Sequence, residues 1–316
     1  MSDDRGRRAG RVGRGDACGK AILFGEHFVV HGLRALAIPL PTLRTQARVE
    51  RLRPGEQTEV HAGAGHRASA MQAIARATDL LGLEGAWRLE TESTVPSGCG
   101  LGSSAAFAVA MLRALLDHEG RSEPTQRIST MAWEIEKIAH GTPSGVDNTV
   151  VAHERAIAFR KGTAPVLLQC SAPLHLVIAD SGQRHPTSEA VARVHAFAAG
   201  APAEFARICA DVDSLVAGAL ASFTTGDSER LGRLMDANHA LLAQVGVSSP
   251  LLDRLVGCAR EAGALGAKLT GAGIGGSVLA LASPDRVEVV RDALLAAGAR
   301  SAFEVRLCPP SGPRES

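Results

Sequence analysis

From residue 20 to residue 95 the apolar positions come in short blocks, and over much of the rest of the chain they recur at helical spacing. Ala21-Ile22-Leu23-Phe24 is a continuous apolar run of strand length, broken by Gly25-Glu26-His27. Phe28-Val29-Val30 and Ala35-Leu36-Ala37-Ile38 read as further strands with a turn over His31-Gly32-Leu33-Arg34, and the alternation from Arg44 to Val60 predicts two more around Pro54-Gly55. Residues 69–82 predict a helix, and Trp87 to Thr91 returns to a strand. A loop rich in Gly and Ser, Pro96 to Ala106, then runs straight into an apolar helix that reaches Asp117.

Ser122 precedes a second predicted helix from Glu123 to His140, with Pro124 tolerated in its first turn. Gly141-Thr142-Pro143-Ser144-Gly145 forces a loop. Residues 150–182 read as strands, most clearly Leu174 to Ala179, and a helical stretch follows from Ser188 to Leu242, broken near Gly200 and Gly226. Ser249-Pro250 combines an N-cap with proline at the first helical position. That helix ends near 263–266, ahead of a second Gly-rich loop and the strand Ser277 to Leu281. The pattern predicts an α+β protein of two domains with the boundary between residues 155 and 185.

Composition narrows the partners. A net charge of +1 gives no field for gathering nucleic acid or coating an anionic membrane. Aromatic residues are 3% of the chain, with no Tyr, which leaves little for stacking bases. The expectation is therefore no nucleic acid and no membrane. Six cysteines without a C-x-x-C pair fit neither a zinc site nor a disulfide scaffold, and point to free thiols in a reducing, cytoplasmic setting. Residues 1–17 are rich in Arg, Gly and Asp and lack an apolar core, so they are expected to form a disordered leader. No apolar run is expected to approach the length of a bilayer crossing.

Four segments carry candidate chemistry. In Pro96-Ser97-Gly98-Cys99-Gly100-Leu101-Gly102-Ser103-Ser104-Ala105-Ala106 a flexible loop ends at a helix N-terminus, which offers backbone N–H groups and the positive end of the dipole to an anion. Its spacing is neither a Walker A loop nor a dinucleotide fingerprint. It reads as a polyphosphate cradle or as an ordinary Gly-rich turn. Lys20 enters a buried strand and Glu26-His27 leaves it, as functional groups at its two ends or as a solvated entry and a polar turn. Glu136 and His140 share a helix face four residues apart, and the following loop presents Asp147-Asn148. A carboxylate on a helix suits Mg²⁺ and one at a loop end suits a base, whereas a plain amphipathic helix accounts for Glu136 but not for the Asp-Asn pair. Lys268-Leu269-Thr270-Gly271-Ala272-Gly273-Ile274-Gly275-Gly276-Ser277 permits close backbone approach, to a ligand or within a structural bend.

Taken in order, Gly19-Lys20 before a strand, Gly100-Leu101-Gly102-Ser103-Ser104-Ala105-Ala106 opening a helix, and Lys268-Leu269-Thr270-Gly271-Ala272-Gly273 near the end resemble the GHMP kinase superfamily. Residues 20–32 and 140–148 are most similar to its mevalonate kinases. The resemblance spans residues 19 to 281. It implies a two-domain fold with an N-terminal half like ribosomal protein S5 domain 2 over 18–165 and a ferredoxin-like half over 166–316.

It also implies ATP-dependent phosphorylation of the 5-hydroxyl of (R)-mevalonate, a step toward isoprenoids, with phosphomevalonate, homoserine or a sugar as the alternative alcohol or a non-catalytic metabolite sensor as the alternative role, and is compatible with a homodimer. By resemblance, Pro96, Gly98, Gly100, Leu101, Gly102, Ser103, Ser104 and Ala105 hold ATP, Ser104 and Glu136 hold Mg²⁺, and Asp147 accepts the hydroxyl proton beside Lys20. Glu26, His27, Thr270 and Gly271 are implied to line the substrate pocket. Two departures stand out: Cys18 replaces a proline usual before Gly-Lys, and Ile274 interrupts a glycine run, where a β-branched side chain is expected to restrict φ.

Overall fold

The computed structural model describes residues 11–62, 67–141 and 143–308, without the side chains of 139 and 140. Residues 1–10 of the expected leader and Thr142 of the expected loop lie outside the described residues. The chain divides into two compact units that are not contiguous in sequence. One comprises 1–19, 42–96 and 102–154; the other comprises 20–41, 97–101 and 155–316.

In the first unit, β4 (Trp87–Ser93) runs antiparallel to the second half of β2 (Ala35–Arg51), from Thr45↔Ser93 to Arg51↔Trp87, and β3 (Glu59–His61) pairs parallel to β4. Among the described residues four helices complete it: α1 (Arg67–Leu81), α2 (Ser103–Glu119), α3 (Thr125–His140) and α4 (Val146–His153). The helix α2 is apolar on nearly every side and packs against α1, α3 and α4. The first strand, β1 (Val12–Phe24), begins inside the expected leader, so the prediction of disorder is corrected for residues 12–17. Gly13 and Gly15 have no room for a Cβ against the backbone of α2, and Ala17 is fully buried. The close approach of strand to helix, which composition does not reveal, orders this segment.

In the second unit, β7 (Leu174–Asp180), β8 (Gly266–Thr270), β9 (Ser277–Ala282) and β10 (Ser301–Leu307) form an antiparallel sheet in the order β10-β7-β9-β8. Helix α8 (Pro250–Glu261) precedes β8, and α9 (Val287–Ala296) joins β9 to β10. This β-α-β-β-α-β path is ferredoxin-like. Ser249 Oγ accepts from the Leu252 N–H and so starts α8 as its sequence predicts. Between β7 and α8 lie α5 (Thr187–Gly200), α6 (Pro202–Thr225) and α7 (Ser228–Gln244), with breaks at the expected glycines. The start of β2 pairs with β5 (Ala156–Phe159), and β5 with β6 (Val166–Leu168).

Three further expectations are corrected. Phe28 to His31 is a 3₁₀ turn, because His27 adopts a positive φ of 62° and Gly32 closes the turn at φ 85°. The start of the expected strand region is the helix α4, which Gly145 caps in the left-handed conformation. Helix α6 is long and apolar enough, by length and composition, to cross a membrane. Its buried residues Ile208, Val212, Val216, Ala219 and Phe223 follow a single stripe, the pattern of a helix packed on one side, and α7 lies against it.

Candidate active site

The Gly/Ser loop is held by its carbonyls. Arg184 Nε donates to Ser97 O at 3.1 Å, Ser277 Oγ to Cys99 O at 3.1 Å, Lys20 Nζ to Gly100 O at 3.1 Å, and the Lys20 N–H to Leu101 O at 2.9 Å. The described peptides contain no cis bond, and in a trans peptide the N–H points opposite to its C=O. Tying these four carbonyls down therefore turns the N–H groups of Gly98, Gly100, Leu101 and Gly102 the other way. Such a run of N–H groups is able to receive an anion.

The glycines are required by geometry. Gly98, Gly100 and Gly102 have φ of 71°, 77° and 75°, and a Cβ on Gly100 would lie 2.8 Å from Gly271 Cα. Pro96, half-buried, fixes φ at the loop entry. Burial pushes the Cys99 thiol up to about 12, with Asp180 adding to the rise, so this cysteine stays protonated.

At the far end of the loop Gly102 starts α2 without a side-chain cap, and the first helical bond back to it comes from the Ala106 N–H at 2.9 Å. The N–H groups of Ser103, Ser104 and Ala105 are thus first-turn donors that the helix itself cannot use. Ser103 and Ser104 are half-buried at this end, while Glu136 on α3 is 3% exposed. Asp147 stands in the first turn of α4, where the helix dipole favours a carboxylate. Its neighbour Asn148 anchors that turn, donating from Nδ2 to Ser129 O and Oγ at 3.0 Å each. Trp133 Nε1 donates to Pro143 O at 3.0 Å and holds the preceding loop. Asn148 is therefore structural, and Asp147 is the half-buried group it presents.

The second unit gathers Lys20, the loop, Thr270 and Gly271. Thr270 is buried and donates to Ile22 O at 2.9 Å, and Gly271 meets Gly100. His27 Nε2 donates to Ala272 O at 2.8 Å, and burial pulls its pKa to about 4, so the ring is neutral. Glu26 departs from expectation. It is 1% exposed and paired with Lys268, which is fully buried, so Glu26 belongs to the interior and not to an open pocket wall. Burial raises the Glu26 pKa and lowers that of Lys268, each opposed by the other's charge. Ile274 also departs: it adopts the left-handed region at φ 63° despite its β-branch, 5% exposed and bonded through its N–H to Val247 O.

Lys268 and Ser277 stand at the two ends of the third motif, which gave no sign of their supporting roles, and Arg184 and Asp180 lie outside every motif. Arg184 grips Asp180 with two bonds of 2.7 Å, and the Gly182 N–H adds a third at 2.9 Å. Burial alone would raise the Asp180 pKa, but these donors hold it below the usual carboxylate range. The only signal in the sequence is an Asp and an Arg four apart at the end of an apolar strand.

Comparison with known proteins gives the family. Residues 65–154 match the GHMP kinases N terminal domain and residues 218–300 the GHMP kinases C terminal family. A mevalonate kinase of Aeropyrum pernix is 35% identical, with 88% of this chain and 91% of that protein covered, and one of Pyrococcus furiosus is 34% identical over 90% and 94%. The crystal structure of L. major mevalonate kinase in complex with R-mevalonate superposes with a TM-score of 0.88 at 30% identity, covering 95% of this chain and 97% of that one. The chain therefore belongs to the GHMP kinases, and within them to the mevalonate kinase family.

Proposed function

We propose that this protein transfers the γ-phosphoryl group of ATP to the 5-hydroxyl of (R)-mevalonate, giving 5-phosphomevalonate, as a cytoplasmic enzyme. The observation that carries the reading is the loop whose carbonyls are tied down by Lys20, Ser277 and Arg184, with its N–H groups turned outward. Support for the substrate comes from mevalonate kinases that align over nearly the whole chain.

In this reading the N–H groups of Gly98, Gly100, Leu101, Gly102, Ser103, Ser104 and Ala105 take the ATP phosphates at the start of α2. Asp147 accepts the proton of the attacking hydroxyl, and Lys20 stabilises charge on the transferred group. His27, Thr270 and Gly271 shape the alcohol side. Because His27 is neutral and its Nε2–H is committed to Ala272 O, it contributes a hydrogen bond and not a cation.

Ser104 and Glu136 supply hard oxygen donors suited to Mg²⁺, and among the described residues no group of three or more His, Cys, Asp or Glu side chains could hold a metal alone. Such a pair fits a cation that completes its shell with phosphate oxygens and water. When bound, Mg²⁺ would neutralise charge on the β- and γ-phosphates. The rate enhancement then rests on positioning and electrostatics supplied by these residues.

The test is ADP release by the purified protein with ATP and Mg²⁺ on mevalonate, phosphomevalonate, homoserine and galactose. The expected result is a kcat/KM for mevalonate at least about 100-fold above the others. Preferential turnover of any other alcohol overturns the substrate assignment.

A further inference from the structure

The fold spends a buried charge pair at a place where stability does not call for one. Lys268 is fully buried on β8, and its Nζ donates to Glu26 Oε1 and to Leu269 O at 2.6 Å. Glu26 Oε2 is buried with no hydrogen-bond partner among the described residues. Desolvating two charges offsets most of their attraction, and an apolar pair of equal volume commonly does as well. A pair left incompletely bonded is therefore not optimised as a stabilising element.

Its location gives it another use. Glu26 follows Gly25, whose φ of 96° turns the chain sharply out of β1, the strand that carries Lys20. Three bonds join that exit to β8 and the loop after it: Thr270 Oγ1 to Ile22 O, Lys268 Nζ to Glu26, and His27 Nε2 to Ala272 O. Of the three, the ion pair alone is buried at both side chains and charged at both ends. The Lys20 ammonium also acts on the Glu26 carboxylate, so Glu26 lies in the field of two cations. Lys20 in turn holds Gly100 O of the phosphate loop.

We propose that Lys268 and Glu26 are positioning residues for phosphoryl transfer: their ion pair fixes the exit of β1 against β8 and so sets the placement of Lys20 on the phosphate loop. The proposal rests on the kinase reading above and adds to it two residues that touch neither ATP nor alcohol. A displacement of about 1 Å at the reacting groups can cost about 100-fold in rate, so a lever of this kind acts on kcat and leaves the KM values alone.

The test is Glu26→Asp, which keeps both charges and shortens the acidic arm by one methylene, read beside the double variant Glu26→Gln/Lys268→Met, which removes both charges with little change in volume. Each is assayed for melting temperature, kcat, and KM for ATP and for the alcohol. The expected result for Glu26→Asp is a near-native melting temperature, a kcat about 10- to 100-fold down, and both KM values within about twofold of wild type.

The double variant is expected to fold and to show the same loss of kcat. A folded variant of either kind with wild-type kcat overturns the proposal. So does a rise in the alcohol KM at constant kcat, which would return Glu26 to the pocket wall. Failure of both variants to fold also overturns it, by making the pair a folding element. Wild-type enzyme on the four alcohols is run in parallel. If it prefers an alcohol other than mevalonate, the substrate reading falls while the positioning role is still decided on that alcohol.

Discussion

Replacing Arg184 with Ala tests the mechanics of the phosphate loop at one residue. The change deletes two 2.7 Å bonds to Asp180, which is 4% exposed at its side chain, and the 3.1 Å bond to Ser97 O. Asp180 would keep the Gly182 N–H and its hydrogen bond with the Cys99 thiol. Removing one partner of a fully buried pair costs about 3–5 kcal/mol. Arg184 is 34% exposed, so water replaces part of what is lost and the expected cost is about 2 kcal/mol. That corresponds to a fall in Tm of about 4–8 °C by thermal denaturation. With Ser97 released, the KM for ATP should rise about tenfold at a kcat within about threefold of wild type.

The pH dependence supplies a sign. The folded-state pKa of Asp180 lies below its unfolded value of ~3.9, so the stabilisation is fully present above that value and is lost as pH falls through the lower, folded one. The Tm gap between wild type and variant should be constant from pH 8 to pH 5, in the range of about one unit or more above that unfolded value, and narrow toward pH 3. An unchanged Tm at neutral pH, or a gap that persists undiminished at pH 3, would refute this reasoning.

Asp147→Asn should lower kcat by at least ~100-fold while costing less than about 1 kcal/mol of stability, measured by steady-state turnover and urea denaturation. Gly100→Ala forces a side chain into φ 77° and against Gly271, so it should lose about 2 kcal/mol or more in denaturation and raise the KM for ATP. Glu154 takes a two-bond fork from Arg44 at 3.1 Å each and a 2.6 Å bond from Arg113, while holding φ 48°. Glu154→Ala should therefore destabilise by about 2 kcal/mol, and Glu154→Gly by about 1 kcal/mol less, because glycine relieves the left-handed backbone. Urea titration of the two variants side by side checks the order.

The residues that carry chemistry in compact motifs were legible, because their spacing encodes local backbone geometry. The run Gly98 to Ser104 specifies a tight turn into a helix whatever surrounds it. What surrounds those motifs was not legible. Lys268 lies in an apolar strand, and its partner Glu26 is 242 positions away, so nothing local distinguishes it from a stray charge. The α4 segment is rich in Val and Thr and reads as a strand. Its helical state depends on the Gly145 cap and on Asn148 reaching Ser129. Residues 12–17 read as a leader because Gly13 and Gly15, placed to let β1 meet α2, look like flexible composition when the helix is out of view.

The central claim concerns which oxygen receives the phosphate, and product NMR reads that directly. The purified protein is incubated with ATP, Mg²⁺ and (R)-mevalonate, and the product is examined by phosphorus NMR with proton coupling retained. Transfer to the 5-hydroxyl predicts a new phosphomonoester resonance split by the two C5 methylene protons. A phosphomonoester without vicinal proton coupling, as on the tertiary 3-hydroxyl, or no new resonance in the presence of active-site-intact protein, would contradict the account.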